Sequence, residues 1–216
     1  MTGWFMEEYP KIQSLYKRDA GGGIIPGDWA TPELEFLRDC RWLWTEKIDG
    51  TNVRVGWSRL QPGIRFAGRH TDQLPPKLRG ALEASLGQED FERAFPEGTS
   101  VTLYGEGYGA GIQRGGGRYR PDQGLVLFDV VVDGWWLSYE SVLDVAGKLG
   151  LGCVPLVGSG TLPEMADRVW RGLGSSLAVT DAEGLVARTP VGLRDRRGRP
   201  LFAKIKARDF PDTTAR

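Results

Sequence analysis

The sequence predicts an α+β fold in which antiparallel sheets dominate and helices flank them. Three observations carry that expectation. Short runs of β-forming residues stand in pairs on either side of tight-turn signals, three segments repeat their apolar residues at helical spacing, and 31 of the 216 residues are glycine, about twice the usual share of roughly 7%.

Taken along the chain, Arg41 to Thr45 and Asn52 to Trp57 flank Asp49-Gly50, which predicts two strands joined by a tight turn. Leu125 to Val132 and Trp135 to Tyr139 flank a second such turn at Asp133-Gly134. Gly184 to Ala187 and Leu201 to Ile205 are separated by the polar stretch Thr189 to Pro200, the pattern of a hairpin with a longer loop. Helical spacing is clearest in Lys77 to Leu86, Ser141 to Leu149 and Pro163 to Leu173. No internal repeat or low-complexity linker divides the chain, so residues 1–216 read as one domain.

Composition removes several classes of function. No stretch approaches the roughly 18 to 20 consecutive apolar residues of a membrane span, and the start, MTGWFMEEYPK, has no leader pattern. A soluble cytoplasmic protein is expected. Cys40, Cys153 and the one histidine, His70, cannot furnish a common four-ligand zinc site. The two cysteines are expected as buried free thiols. Lys plus Arg balances Asp plus Glu at 28 each, so no whole-molecule field draws the chain onto nucleic acid. A local patch exists: Arg188, Arg194, Arg196, Arg197, Arg199, Lys204, Lys206 and Arg208 face one acid, Asp195.

The familiar phosphate loops are missing. The Gly147-Lys148 pair has Val142 where a P-loop needs its first glycine, and GEGYGAG lacks the GxGxxG spacing. What remains is EKIDGTN, Glu46 to Asn52, with a lysine at the end of an apolar strand. An amine is a useful nucleophile only when unprotonated, which desolvation or neighbouring cations favour. Lys204 and Lys206 supply such cations, because two positions apart on a strand point to one face. Lys47 is therefore a candidate to attack the α-phosphate of a nucleotide, with the two lysines and a metal absorbing the charge that develops. Glu106 and Glu183, each beside a glycine near a strand end, are candidate ligands for magnesium. Phe128, in LVLFDV, offers a ring on which a purine can stack. Singly, each of these signals also fits an ordinary surface or core side chain; together and in order they point to nucleotidyl transfer.

EKIDGTN, LYGEGYGAGIQ, LVLFDVVVDG, EGLVAR and AKIK resemble, in order, the five motifs of the covalent nucleotidyltransferases, the superfamily of polynucleotide ligases and mRNA capping enzymes. The nearest likeness is to the phage RNA ligases of the second type and the RNA-editing ligases similar to them. It runs from about Trp42 to Arg208. The resemblance implies a ligase-type nucleotidyltransferase domain, related to the ATP-grasp fold, that takes AMP from ATP onto Lys47 with Mg2+ or Mn2+ as cofactor. It passes AMP to an RNA 5′-phosphate and seals that end to a 3′-hydroxyl, as in RNA repair. It further implies that Glu46 lies against the adenine, that Asn52 assists at the phosphate or metal, and that Arg69 contacts the nucleotide. By the same resemblance Glu106 binds the ribose rather than a metal, Phe128 stacks on adenine, Glu183 holds the metal through its water shell, and Lys204 and Lys206 grip the α-phosphate.

Such RNA ligases usually carry a further domain after the last motif, whereas ten residues follow Lys206 here, so the chain is expected to correspond to the catalytic domain alone. RNA ends then have two local candidates for their grip: GGGRYR, with Arg118, Tyr119 and Arg120, and the Arg194 to Arg199 hairpin, with Arg194, Arg196 and Arg197. Two other readings stay open. One is an adenylyl or guanylyl transferase that modifies RNA ends without sealing them; the other is a non-catalytic relative that binds nucleotide or RNA. Oligomeric state is left open by the sequence.

Overall fold

The computed structural model describes residues 6–210. Residues 1–5, which open the stretch read for a leader, and 211–216, the last of those following Lys206, lie outside the described residues. In chain order the first elements are β1 (Gln13–Ser14), β2 (Tyr16–Arg18), β3 (Ile24–Trp29), α1 (Pro32–Phe36), β4 (Trp42–Lys47), β5 (Thr51–Ser58) and β6 (Gln61–Ala67). The middle of the chain forms α2 (Pro76–Ser85), α3 (Gln88–Ala94), β7 (Ser100–Gly109), β8 (Gln123–Val132), β9 (Trp135–Trp136) and α4 (Tyr139–Lys148). The last elements are β10 (Gly152–Cys153), β11 (Leu156–Gly160), α5 (Leu162–Trp170), β12 (Gly184–Arg188) and β13 (Phe202–Lys206). The class is α+β with largely antiparallel sheets, as expected. No helix among the described residues is long and apolar enough to cross a membrane.

These elements make two compact units, Met1–Tyr9 with Asp49–Val154 and Pro10–Ile48 with Pro155–Arg216. The first is built on a six-stranded sheet of order β10-β8-β7-β5-β6, with β9 added along β8. Strand alternation sends Val53, Val55 and Trp57 of β5, Val101 and Leu103 of β7, and Leu125 and Leu127 of β8 into one core. Leu78 and Leu82 of α2, Phe91 of α3, and Val142 and Val145 of α4 close it. The two-residue rhythm of β8 slips once: Leu127 pairs with Gly105 and Asp129 with Tyr104, leaving Phe128 as the extra residue of a bulge.

The second unit carries the five-stranded sheet β1-β13-β12-β4-β11 and the β2-β3 hairpin. Trp42, Trp44, Leu185, Ala187, Ala203 and Ile205 form its apolar face. Helix α5 covers that face with Leu162, Met165, Ala166 and Val169, the i, i+3, i+4, i+7 stripe of an amphipathic helix. Its start is fixed by a capping box between Thr161 and Glu164.

The Asp133-Gly134 hairpin forms as expected, with φ of 49° and 83° at the two turn residues and Val132 opposite Trp135. Its second strand is shorter than expected, because Ser138 caps α4 and takes Tyr139 into the helix. The hairpin of β12 and β13 forms too, from Gly184 opposite Lys206 to Arg188 opposite Phe202. The expected hairpin around Asp49-Gly50 does not form. β4 pairs with β11 and β12, whereas β5 pairs with β6 and β7, so the turn connects two sheets. Cys40 and Cys153 form no disulfide with each other, but Cys40 is exposed and Cys153 partly so, contrary to the expected burial.

Candidate active site

β4 lies inside its sheet with neighbours on both sides, which locks its side chains in register. Lys47 pairs with Gly184, Gly184 with Lys206, and Val186 with Lys204. Residues opposite one another share a face, so Lys47, Lys204 and Lys206 project from the side opposite the Trp44 and Leu185 core. The expectation that Lys204 and Lys206 share a face therefore holds, and Lys47 joins them.

Glu183, the residue before β12, completes the cluster. Lys47 Nζ donates to its Oε2 at 2.5 Å, and Lys206 Nζ to its Oε1 at 2.6 Å. The side chains are 21%, 16% and 15% exposed for Lys47, Glu183 and Lys206, so the network is shielded yet open to a ligand. Burial alone pushes the Glu183 carboxyl up, but Lys47 and Lys206 beside it reverse that and hold it below its ordinary value. The sequence suggested that Lys47 meets cations directly; here a carboxylate stands between Lys47 and Lys206.

Gly184, the glycine beside Glu183, serves a close approach. What approaches is backbone: a Cβ at Gly184 would stand 2.1 Å from the carbonyl oxygen of Ile205, so glycine lets β12 and β13 close up and brings Glu183 to Lys206. The other end of this arrangement is held by Asp209, which sequence reasoning missed. Its Oδ2 accepts from the backbone N–H of Lys206 at 2.9 Å, and its Oδ1 takes the Arg18 guanidinium at 2.7 Å. Its separation in sequence from Arg18 left no signal.

Glu46 faces away from Lys47, as neighbouring strand residues must. It is 1% exposed and accepts from Ser175 Oγ at 2.5 Å and from the backbone N–H of Ser176 at 2.7 Å. Its carboxylate is thus committed to the loop after α5, a role that sequence reasoning did not find.

The remaining candidates belong to the first unit. Asn52 and Glu106 lie directly opposite each other on β5 and β7 and so share the sheet face away from α2, α3 and α4. Gly50 lies close against β7, for a Cβ there would meet the Gly107 carbonyl oxygen at 2.3 Å and Glu106 Cγ at 2.8 Å. Arg69 follows the end of β6. Asn52 Oδ1 and Arg69 Nε are buried atoms without a hydrogen-bond partner among the described residues, and buried polar atoms are normally satisfied. Phe128 is partly exposed at its bulge.

Among the described residues no group of three or more His, Cys, Asp or Glu could cage a cation, and Glu183 is a single carboxylate. That donor set suits a hard divalent ion that keeps its waters and is shared with substrate phosphates, and it does not suit an all-protein site.

The two basic segments differ. Arg120 forms a two-point pair with Asp122, at 2.6 and 2.7 Å, and its guanidinium lies 5.6 Å from the Tyr108 ring centre; it shapes its loop. Arg118 lies exposed on a short 3-10 turn. In the second segment Asp195 accepts from the backbone N–H groups of Arg197 and Arg199 and pairs with the Arg199 side chain. Its one acid holds the turn internally, leaving Arg194, Arg196 and Arg197 exposed.

A family model described as RNA ligase matches residues 41–206, the span from the residue before β4 to Lys206. The chain belongs to the RNA ligase family. Solved structures of similar fold include a Naegleria gruberi RNA ligase mutant with ATP and Mn, at 19% identity and a TM-score of 0.62, covering 90% of this chain and 61% of that one. The same organism's RNA ligase with PPi matches at 17% identity and a TM-score of 0.64, covering 96% of this chain and 64% of that one. An archaeal ATP-dependent RNA ligase matches at 20% identity and a TM-score of 0.64, covering 94% and 49%. This member of the RNA ligase family thus spans less than two thirds of the length of these ligases. No curated protein matches its sequence.

Proposed function

We propose that this chain is the nucleotidyltransferase domain, comprising both compact units, of an ATP-dependent RNA ligase. The observation that carries the reading is the cluster of Lys47, Glu183, Lys206 and Lys204 around one pair of strand registers, within a family model matching residues 41–206.

In the first step the Lys47 amine, having given up a proton to solvent, attacks the α-phosphorus of ATP. An N–P bond forms, the bond to the β-phosphate oxygen breaks, and pyrophosphate leaves. Lys204 and Lys206 offset the negative charge gathering on the α-phosphate oxygens. Glu183 would hold a divalent cation through its waters, and that ion supplies further charge neutralisation at the phosphates. An RNA 5′-phosphate oxygen then attacks the same phosphorus, freeing the Lys47 amine and leaving RNA capped by AMP. A 3′-hydroxyl attacks the RNA phosphate, the new phosphodiester forms, and AMP departs. Such sealing serves RNA repair. Glu46, its carboxylate held by Ser175 and Ser176, is assigned a place against the adenine, and Asn52, Arg69, Glu106 and Phe128 are assigned nucleotide contacts. The unpartnered Asn52 Oδ1 and Arg69 Nε support this for two of them.

The test is incubation with ATP or GTP labelled at the α-phosphate, with magnesium, followed by denaturing electrophoresis. A labelled protein band from ATP, absent in Lys47→Ala, labile in acid and stable in alkali, is the expected result. Label from GTP alone would favour the capping-type transferase, and no label would favour a binding relative.

A further inference from the structure

We propose that Tyr9 is a positioning residue that sets the Phe128 ring and, through it, recognition of the nucleotide base. The inference rests on the reading of Phe128 as the stacking platform and names what holds that platform still. Phe128 is the extra residue of the β8 bulge, so the regular ladder that aligns its neighbours does not fix it. Tyr9 does so from two directions. Its ring meets Phe128 edge-on, with centroids 4.8 Å apart and planes at 68°, a favourable arrangement of two aromatic quadrupoles. Its hydroxyl donates to Oδ2 of Asp129 at 2.5 Å. Asp129 is the next residue of the bulge and is 2% exposed. One side chain therefore grips both the bulged residue and its neighbour.

Tyr9 is itself held. Its ring lies 5.1 Å from Tyr104 and 5.8 Å from Trp136, centre to centre. The preceding residues are tied to the sheet by Arg54 Nη1 donating to the Met6 carbonyl at 2.8 Å and by the Tyr104 hydroxyl donating to the Glu7 carbonyl at 3.0 Å. Burial pushes the Tyr104 hydroxyl up to about 12, so that donor persists across the working pH range. Phe128 keeps part of its surface open, as a platform requires. Tyr9, to which no motif in the sequence drew attention, thus becomes the support of a binding surface.

The experiment measures Lys47 adenylation in the full chain for Tyr9→Ala, Tyr9→Phe, Phe128→Ala and the double variant Tyr9→Ala with Phe128→Ala. Tyr9→Ala should raise KM for ATP about twofold to tenfold, the span of one aromatic pair, with kcat near native and pyrophosphate affinity unchanged. Tyr9→Phe, which keeps the ring, should recover most of the loss. In the Phe128→Ala background Tyr9→Ala should add nothing. If Tyr9→Ala does not fold, Tyr9→Leu keeps the apolar bulk and is read in the same way. Equal weakening of ATP and pyrophosphate, or an undiminished effect of Tyr9→Ala in the Phe128→Ala background, would overturn the inference. Native KM in Phe128→Ala would overturn the platform reading and the inference with it. A raised KM in Phe128→Ala beside a native one in Tyr9→Ala would overturn the inference alone.

Discussion

Lys47 and Glu183 form an ion pair at 2.5 Å between the last residue of one strand and the residue preceding the next strand over. The other oxygen of the same carboxylate holds Lys206, so Glu183 keeps two like charges together that would otherwise repel. Without it neither lysine has the same reason to point where it does.

Glu183→Gln separates charge from shape. The amide still offers one oxygen to the lysines but can neither neutralise them nor hold a hydrated cation. Adenylation of Lys47 should fall by about two to three orders of magnitude, since one lost charge at a transferring phosphate costs roughly 3 to 4 kcal/mol. Far-UV circular dichroism should match the native protein. A native rate in a folded variant would remove Glu183 from the site.

The same pair predicts a pH dependence of stability. Because the folded protein holds the Glu183 carboxyl below its ordinary value, its contribution to stability is fully present above the unfolded value of about 4.3 and is lost as pH falls through the folded one. Chemical denaturation across pH 7 to 3 should show the stability difference between native protein and Glu183→Gln shrinking on the acid side. Acidic groups elsewhere titrate in both proteins and cancel. A difference constant with pH would contradict the pairing.

Gly184→Ala tests the closeness of β12 and β13. The added methyl would meet the Ile205 carbonyl oxygen at 2.1 Å and Lys206 Cα at 2.7 Å, so the strands must part. Overpacking of this kind costs about 1 to 3 kcal/mol. The melting temperature should drop, and adenylation should fall further than the folded fraction does, since Lys206 retreats from Glu183. Unchanged melting would show that the two strands have slack.

Neutralising Arg194, Arg196 and Arg197 to glutamine should leave Lys47 adenylation intact while weakening the RNA-dependent steps. If each contacts a phosphate, the slope of log affinity for single-stranded RNA against log salt should flatten by about 2, at roughly 0.7 per contact. Filter binding across a salt series measures it. An unchanged slope would assign RNA contact to other residues.

Much of this site was legible because strand alternation is a strong rule. Two lysines at positions 204 and 206 had to share a face, and the turn chemistry of Asp133-Gly134 produced its hairpin. The Asp49-Gly50 signal was equally strong and misled, because turn residues specify a change of direction and not the strand that waits beyond it. Three features lay out of reach. The commitment of Glu46 to Ser175 and Ser176 joins positions 129 and 130 residues apart. The bulge at Phe128 shows only in the slip of register between two strands. The hold of Tyr9 on Asp129 spans 120 residues, and no local pattern announces it.

The discontinuity of the second unit has a consequence for the protein during its synthesis. Lys47 leaves the ribosome before Glu183, which comes 136 residues later, and Lys206 follows later still. Until then β4 lacks the partner strand that sets its lysine in register, and the first unit, most of whose chain emerges between them, can gather its own sheet. A chain interrupted before Glu183 therefore carries Lys47 without the carboxylate and the second lysine that cluster with it in the finished fold. The corresponding cost is kinetic, since contacts this distant in sequence close slowly. Refolding of the second unit should lag behind that of the first.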